Sequence, residues 1–409
     1  MMSRSLRTCT GAVVPALTVV ALALAGCGSS SPPVSSSTPG ASPVAAPIVV
    51  GVLGSFTGVA SGSTAHAKIL AQDWVSMTNA TGGINGHPVQ AIILDDQNSA
   101  STALANATQL VQQDHVKAIL DLSDNLESAW AKVADTANVP VIGQSESPIF
   151  GSDPNFYPSG TTVEALTWGE LMAGARAKVT KLSVLYCAEI ANCAEAIPLI
   201  TALGKPLNMK LSYAAKISST AVSYTAPCLG AKNAGTQGGT VAAASDVALR
   251  VAQSCASQGY KPTWLTTGGE MTTSWLKQPA VNGAVGNSQE VPWFDDSIPA
   301  TKTMQAAIAK YSPSVTSSDA YGAVATIGWA AGTVFGAVAT AAHLTPSSST
   351  SVLVAALDKV SNNTFGGITP PLTYTAGKPT IVGCSFLVGI KNGSWAEPNG
   401  LKTVCLPAS

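Results

Sequence analysis

Residues 48–98 read IVVGVLGSFTGVASGSTAHAKILAQDWVSMTNATGGINGHPVQAIILDDQN, and the punctuation of this stretch decides the fold class. Ile48-Val49-Val50-Gly51-Val52-Leu53-Gly54 is a short apolar run closed by glycine, the pattern of a buried strand entering a tight loop at 55–58. Residues 63–79 carry Ala67, Leu70, Ala71, Trp74 and Val75 at helical spacing, and Thr81-Gly82-Gly83-Ile84-Asn85-Gly86 stops them. Val89-Gln90-Ala91-Ile92-Ile93-Leu94 is a second strand ending at Asp95-Asp96. Strand, helix, strand, with glycine at both reversals, is a right-handed βαβ unit of a parallel sheet.

The run from Val50 to Gly58, then Gly82-Gly83-Ile84-Asn85-Gly86-His87-Pro88-Val89, then a strand closing in Asp95-Asp96, resembles the type I solute-binding proteins of the branched-chain amino acid importer family. Order and spacing of all three pieces match, and the likeness continues with less detail to about Trp395. The resemblance implies an α/β fold of two doubly wound, Rossmann-like lobes joined by a three-stranded hinge. It also implies a small-molecule ligand held between the lobes and ABC permease subunits as partners.

Toward the amino end, Arg4 and Arg7 precede an apolar run over 11–26, which is short for a membrane span and right for a signal h-region. It ends in Leu24-Ala25-Gly26-Cys27, which resembles a bacterial lipobox, so residues 1–26 read as a lipoprotein signal and Cys27 as the lipidated residue. The alternative is an ordinary secretory signal with a stray cysteine. From Gly28 to Pro47 the chain is uncharged and made of small residues and proline, so nothing there offsets the entropy of ordering; 27–47 reads as a tether. The expected address is extracytoplasmic, lipid-anchored to the cell membrane.

The remaining chain is comfortable for two lobes. Expected boundaries are 48–162 and 291–367 for the first lobe, and 163–290 and 368–409 for the second. Removing the signal takes two bases from 21 and leaves 19 against 22 acids, a balance of −3 that gives no sign of nucleic acid. No feature sets the oligomeric state above a monomer.

Beyond Cys9 and Cys27, six cysteines remain: Cys187, Cys193, Cys228, Cys255, Cys384 and Cys405. Six allow 15 pairings, of which the sequential one is the simplest: Cys187 with Cys193, Cys228 with Cys255, and Cys384 with Cys405 at the ends of a hairpin turning near Asn392. A zinc site is the competing reading, but it lacks a close Cys/His pair at ligand spacing. No metal and no cofactor is expected.

The βαβ rhythm continues. A helix over 99–113 starts at a Ser99 cap, a strand at 116–120 discharges into Asp121-Leu122-Ser123-Asp124-Asn125, and a strand at 140–142 ends in Gly143-Gln144-Ser145-Glu146-Ser147. Ligands of open α/β sheets lie outside the carboxyl ends of strands. Ser123, Asp124, Asn125, Ser145, Glu146 and Ser147 are therefore candidate ligand contacts, and the resemblance implies that loops at these places grip a carboxylate. Asp124 and Glu146 would repel such a group unless they point away. In the second lobe the resemblance places candidates at Tyr186, Ser245, Asp246 and Glu270, each near a strand end. A tyrosine that several family members use would fall near Ala191 and is missing, and Ser63 stands where some members set an aromatic ring over the ligand.

Residues 285–294 read as the return crossing and 358–373, around Phe365-Gly366-Gly367, as a third one. The helix expected over 319–341 is nearly free of charge, with Gly and Thr interrupting it. That pattern fits burial against a sheet better than a membrane span, with Trp329 and Phe335 as core residues. No G-x-S-x-G, G-x-x-x-x-G-K-[ST] or H-E-x-x-H motif occurs, and the four histidines share no spacing. An enzyme is not expected. Two classes remain: the substrate-binding component of an ABC importer for a branched-chain amino acid, amide or small organic acid, and a ligand-sensing or interaction module on the same scaffold. Fold alone does not choose between them.

Overall fold

Two parallel sheets carry the chain. In the computed structural model, which describes residues 45–58, 61–123, 125–143, 146–189, 191–267 and 270–407, the first lobe is built on strands β1 (Ile48–Gly54), β2 (Val89–Asp95), β3 (Ile119–Leu122), β4 (Val141–Gly143) and β5 (Phe156–Pro158). Their order is β2-β1-β3-β4-β5, all parallel, with Ile48 opposite Val89 and Gly51 opposite Ile119. The opening βαβ unit is as expected: helix α1 (Ala67–Ala80) joins β1 to β2 and buries Ala67, Leu70, Ala71 and Trp74. Helix α2 (Ala100–Gln112) begins at Ser99, whose hydroxyl accepts from the Thr102 amide. The expected signal peptide, Cys27 and the tether up to residue 44 lie outside the described residues.

The second lobe follows β6 (Lys181–Cys187), β7 (Lys210–Ile217), β8 (Gly238–Ala242), β9 (Thr263–Thr266) and β10 (Val285–Ser288), in the parallel order β10-β9-β8-β6-β7. The antiparallel strands β11 (Cys384–Lys391), β12 (Ser394–Ala396) and β13 (Val404–Cys405) extend its β10 edge. All three sequential cysteine pairs are bonded, Cys187–Cys193, Cys228–Cys255 and Cys384–Cys405, the last joining β11 to β13. Helix α3 (Val163–Arg176) carries the chain into this lobe, α4 (Ala196–Gly204) follows the Cys187–Cys193 loop, and α5 (Ser245–Ser257) follows β8.

Helix α6 (Ala323–Ala341) returns to the first lobe and lies against α1, with Trp329 and Phe335 buried. Gly328, Gly332 and Gly336 recur every fourth residue and face α1: a methyl at Gly328 would sit 2.2 Å from the Ala67 carbonyl oxygen, and one at Gly332 would sit 2.3 Å from the Trp74 ring. Length and composition would let α6 cross a bilayer, but 78% of it is buried inside the protein. It is a core helix.

Three chain segments meet between the lobes. The Thr161 hydroxyl lies 3.0 Å from the Gln289 carbonyl and 2.7 Å from that of Cys384, and the Thr162 amide donates to the Val382 carbonyl at 3.2 Å. The third crossing therefore lies near 382–384, which corrects the expectation of 358–373 and, with it, the boundary at 367. Residues 358–374 stay on the first lobe, because the Tyr157 hydroxyl donates to Asp358 at 3.1 Å and the Tyr374 hydroxyl donates to the Pro158 carbonyl at 2.8 Å.

Candidate functional site

The carboxyl ends of β3 and β4 on one lobe, and of β8 and β9 on the other, border a single cavity of about 630 Å³, well inside the range of small-molecule sites. From the first lobe come Ser63, Asn125, Glu146 and Val324; from the second come Ala244, Thr267 and Glu270. The cavity then runs on into the second lobe between α3 and α4, past Leu166, Glu170, Leu199 and Ile200. Its wall there also includes the bonded Cys187 and Cys193.

Of the residues expected at the site, Asn125, Glu146 and Glu270 share this cavity. Asn125 sits at φ 59°, a left-handed conformation that asparagine tolerates. Glu146 is held by the Gln289 side-chain amide, so a wall residue is tied to the second crossing. Glu270 accepts from the Thr267 hydroxyl at 3.1 Å. Asp124 and Ser145 lie outside the described residues.

The remaining candidates do not line the cavity, and each has a physical reason. Ser123 is fully buried and donates its hydroxyl to Asp96 at 2.8 Å, beneath the loop and not into the cleft. Ser147 is buried where it starts the single turn Pro148–Gly151. Tyr186 packs its ring against the apolar cluster of Leu182, Val184 and Ile200. Ser245 spends its hydroxyl on the Glu270 carbonyl while accepting from the Trp275 indole at 3.0 Å. Asp246 pairs with Arg250 at 3.4 Å on the surface of α5. Ser245 and Asp246 nonetheless mark where the lobes touch: the Ser245 amide donates to the Ser63 hydroxyl at 3.1 Å, and Gly62 lies directly against the Asp246 carboxylate.

Sequence reasoning missed Glu170. It is a lone acid in the middle of α3, fully enclosed, and burial pushes its carboxyl from 4.5 up to about 7, a rise that the Thr240 hydroxyl only moderates. Thr240 Oγ1 also lies 2.9 Å from the Leu265 carbonyl, and one hydroxyl proton cannot serve both neighbours. With Glu170 protonated both contacts are satisfied, since the acid donates to Thr240 and Thr240 donates to Leu265. Glu270 is raised well above its ordinary value, first by burial and then by repulsion from Glu170 and Glu146. The available signal was Glu170 itself, a charged residue in the middle of a largely apolar helix.

Glu164, Glu189 and Glu195 complete the wall, which thus holds six glutamates. Among the described residues no Lys, Arg or His lines it. Glu189 is exposed; the little burial it has pushes its carboxyl up, but the Ser218 and Ser219 hydroxyls and the Ser219 amide hold it below its ordinary value. Among the described residues no group of three or more His, Cys, Asp or Glu is placed to hold a metal ion.

A family model described as periplasmic binding protein matches residues 47–394. No match was found among curated protein sequences. Among solved structures, a branched chain amino acid ABC transporter protein from Thermus thermophilus with bound valine superposes with a TM-score of 0.76 at 14% identity, covering 87% of this chain and 96% of its own. A leucine binding protein from Thermotoga maritima gives 0.71 at 13% identity, covering 88% and 99%. A fatty acid ABC transporter substrate-binding protein from Thermomonospora curvata gives 0.72 at 18% identity, covering 88% and 95%. At these identities the structures share the fold.

Proposed function

Because this chain belongs to the periplasmic binding protein family, whose members are extracytoplasmic solute-binding proteins, we propose that it is the substrate-binding component of an ABC importer, capturing one small solute between its lobes by hinge closure. The observation that carries the reading is the single cavity bordered by strand ends of both lobes, with Asn125 and Glu146 on one side and Glu270 on the other. A solute there bridges two bodies joined by three narrow crossings, and such bodies rotate with little contact to break. Gln289 links the ligand wall to the hinge through Glu146.

A thermal-shift screen over amino acids, amides, amines and carboxylates is expected to find a solute that stabilises the protein by about 2.7 kcal/mol at 100 times its dissociation constant. Asn125→Ala and Glu270→Gln are expected to weaken that solute about 5- to 150-fold, the cost of one buried polar contact at roughly 1–3 kcal/mol. Unchanged affinity in both variants would remove the cavity from the account.

Lipid attachment at Cys27 belongs to the same proposal and rests on the Leu24-Ala25-Gly26-Cys27 run. Cys27→Ala should move the protein from the membrane fraction of its native host to the medium or periplasm, and retention at the membrane would count against the anchor.

A further inference from the structure

The cavity has two features that a general solute site does not need. Its wall holds six carboxyl groups and, among the described residues, no cation to balance them. The Arg250 guanidinium is committed elsewhere: it pairs with Asp246, donates to the Ser219 carbonyl at 2.6 Å and lies over the Tyr224 ring. The cavity also extends beyond the cleft, along Val163, Leu166, Leu199, Ile200 and Val241. These apolar side chains offer a ligand dispersion and desolvation gains.

From this arrangement we propose that the imported solute is an organic cation, an ammonium or amidinium carried on an apolar body. Its charged head lies among Glu146, Glu170 and Glu270 and its body lies along α3 and α4. The inference rests on the importer reading and narrows its substrate class. An anion entering the cavity would meet carboxyls on both lobes, with no described side-chain cation to offset the repulsion. A cation instead supplies the charge that lets these crowded acids ionise together, and it would displace the protons that burial keeps on Glu170 and Glu270. The two exposed acids at the mouth, Glu189 and Glu195, place negative potential where a cation arrives. Glu189 is already fixed by its serine partners. A zwitterionic amino acid satisfies half of this arrangement, because its carboxylate would stand among acids.

The test is calorimetry at pH 7.5 with three probes of similar body: n-hexylammonium chloride, sodium hexanoate and leucine. The expected result is that n-hexylammonium binds at least about 30-fold more tightly than the other two. Its apparent enthalpy should change between phosphate and Tris buffers in the sense of proton release. Glu170→Gln and Glu270→Gln should each weaken n-hexylammonium at least 5-fold and reduce the protons released, since each amide keeps the shape and loses the charge. The amide introduced by Glu170→Gln can still donate to Thr240, so that variant keeps the internal hydrogen bonds and its fold is checked by its melting temperature. Hexanoate or leucine binding as tightly as the amine would overturn the inference while leaving the importer reading intact. An amine affinity unmoved in both variants, or no amine binding at millimolar concentration, would also overturn it. The importer reading fails separately, if no solute of the wider screen binds the cavity.

Discussion

Gly328→Leu is expected to leave no cooperatively folded protein, and Gly328→Ala to destabilise the chain by about 1–3 kcal/mol. The sign of the alanine result is the informative part. In a helix interior, alanine is favoured over glycine by roughly 0.5–1 kcal/mol, so propensity alone would make Gly328→Ala stabilising. Packing reverses it, because the added methyl would lie 2.2 Å from the Ala67 carbonyl oxygen and 3.0 Å from the Ala71 nitrogen. Both are backbone atoms of α1 and cannot swing aside, so the two helices must separate. Gly336→Ala is the internal comparison: its methyl meets the edge of the Trp74 ring at 2.9 Å, and a side chain can give. Val324 stands one turn before Gly328 and lines the cavity, so separating the helices also displaces the ligand wall. Urea unfolding of the three variants is the measurement, and a stabilised Gly328→Ala would show that α6 does not lie this close to α1.

The ligand-free protein is expected to lose roughly 3 kcal/mol of stability between pH 4.5 and 7 through Glu170 alone. Its carboxyl titrates near 4.5 when unfolded and about 7 when folded, and each pH unit of difference is worth about 1.36 kcal/mol. Because the folded pKa is the higher one, the folded state holds the proton over that window while the unfolded state has released it. The stabilisation is therefore complete below pH 4.5 and is lost as pH rises through 7. Glu270 and Glu290, both raised well above their ordinary values chiefly by burial, add slopes of the same sign. Glu170→Gln should flatten the curve by its share and be the more stable protein at pH 8. Urea midpoints across pH 4.5–8 decide it; a wild-type stability that rises over this range would mean that Glu170 is ionised in the fold.

The fold was legible because its signals are local. Apolar runs closed by glycine or acid mark β1, β2 and β3, and the Ser99 cap marks α2. The third crossing was misplaced because 358–373 carries the glycines of a hinge yet uses them for a turn. Gly366 and Gly367 adopt φ of 76° and 94°, and the Val291 amide donates to the Ile368 carbonyl just beyond. The site was half legible. Strand-end logic led to Asn125 and Glu146, and the resemblance to Glu270, three residues that line the candidate cavity. It failed at Ser123 and Ser245, whose hydroxyls are claimed by Asp96 and the Glu270 carbonyl, partners 27 and 25 residues away in the chain. It missed Glu170 because that logic looks only at strand ends, while this cavity continues along the side of a helix.

The central claim, that two lobes open and close over this cavity, is tested most directly without any ligand. A methyl on Gly62 would lie 2.4 Å from an Asp246 carboxylate oxygen and 3.3 Å from its carboxyl carbon. Gly62→Cys with Asp246→Cys therefore places two thiols within bonding reach across the cleft. Small-angle scattering of the oxidised double-cysteine protein and of a Gly62→Ser, Asp246→Ser control, both ligand-free, gives the answer. The expected result is a smaller radius of gyration for the locked protein, because the control spends part of its time open. Superimposable profiles would contradict the account, since lobes that do not part cannot admit a solute to a cavity they enclose.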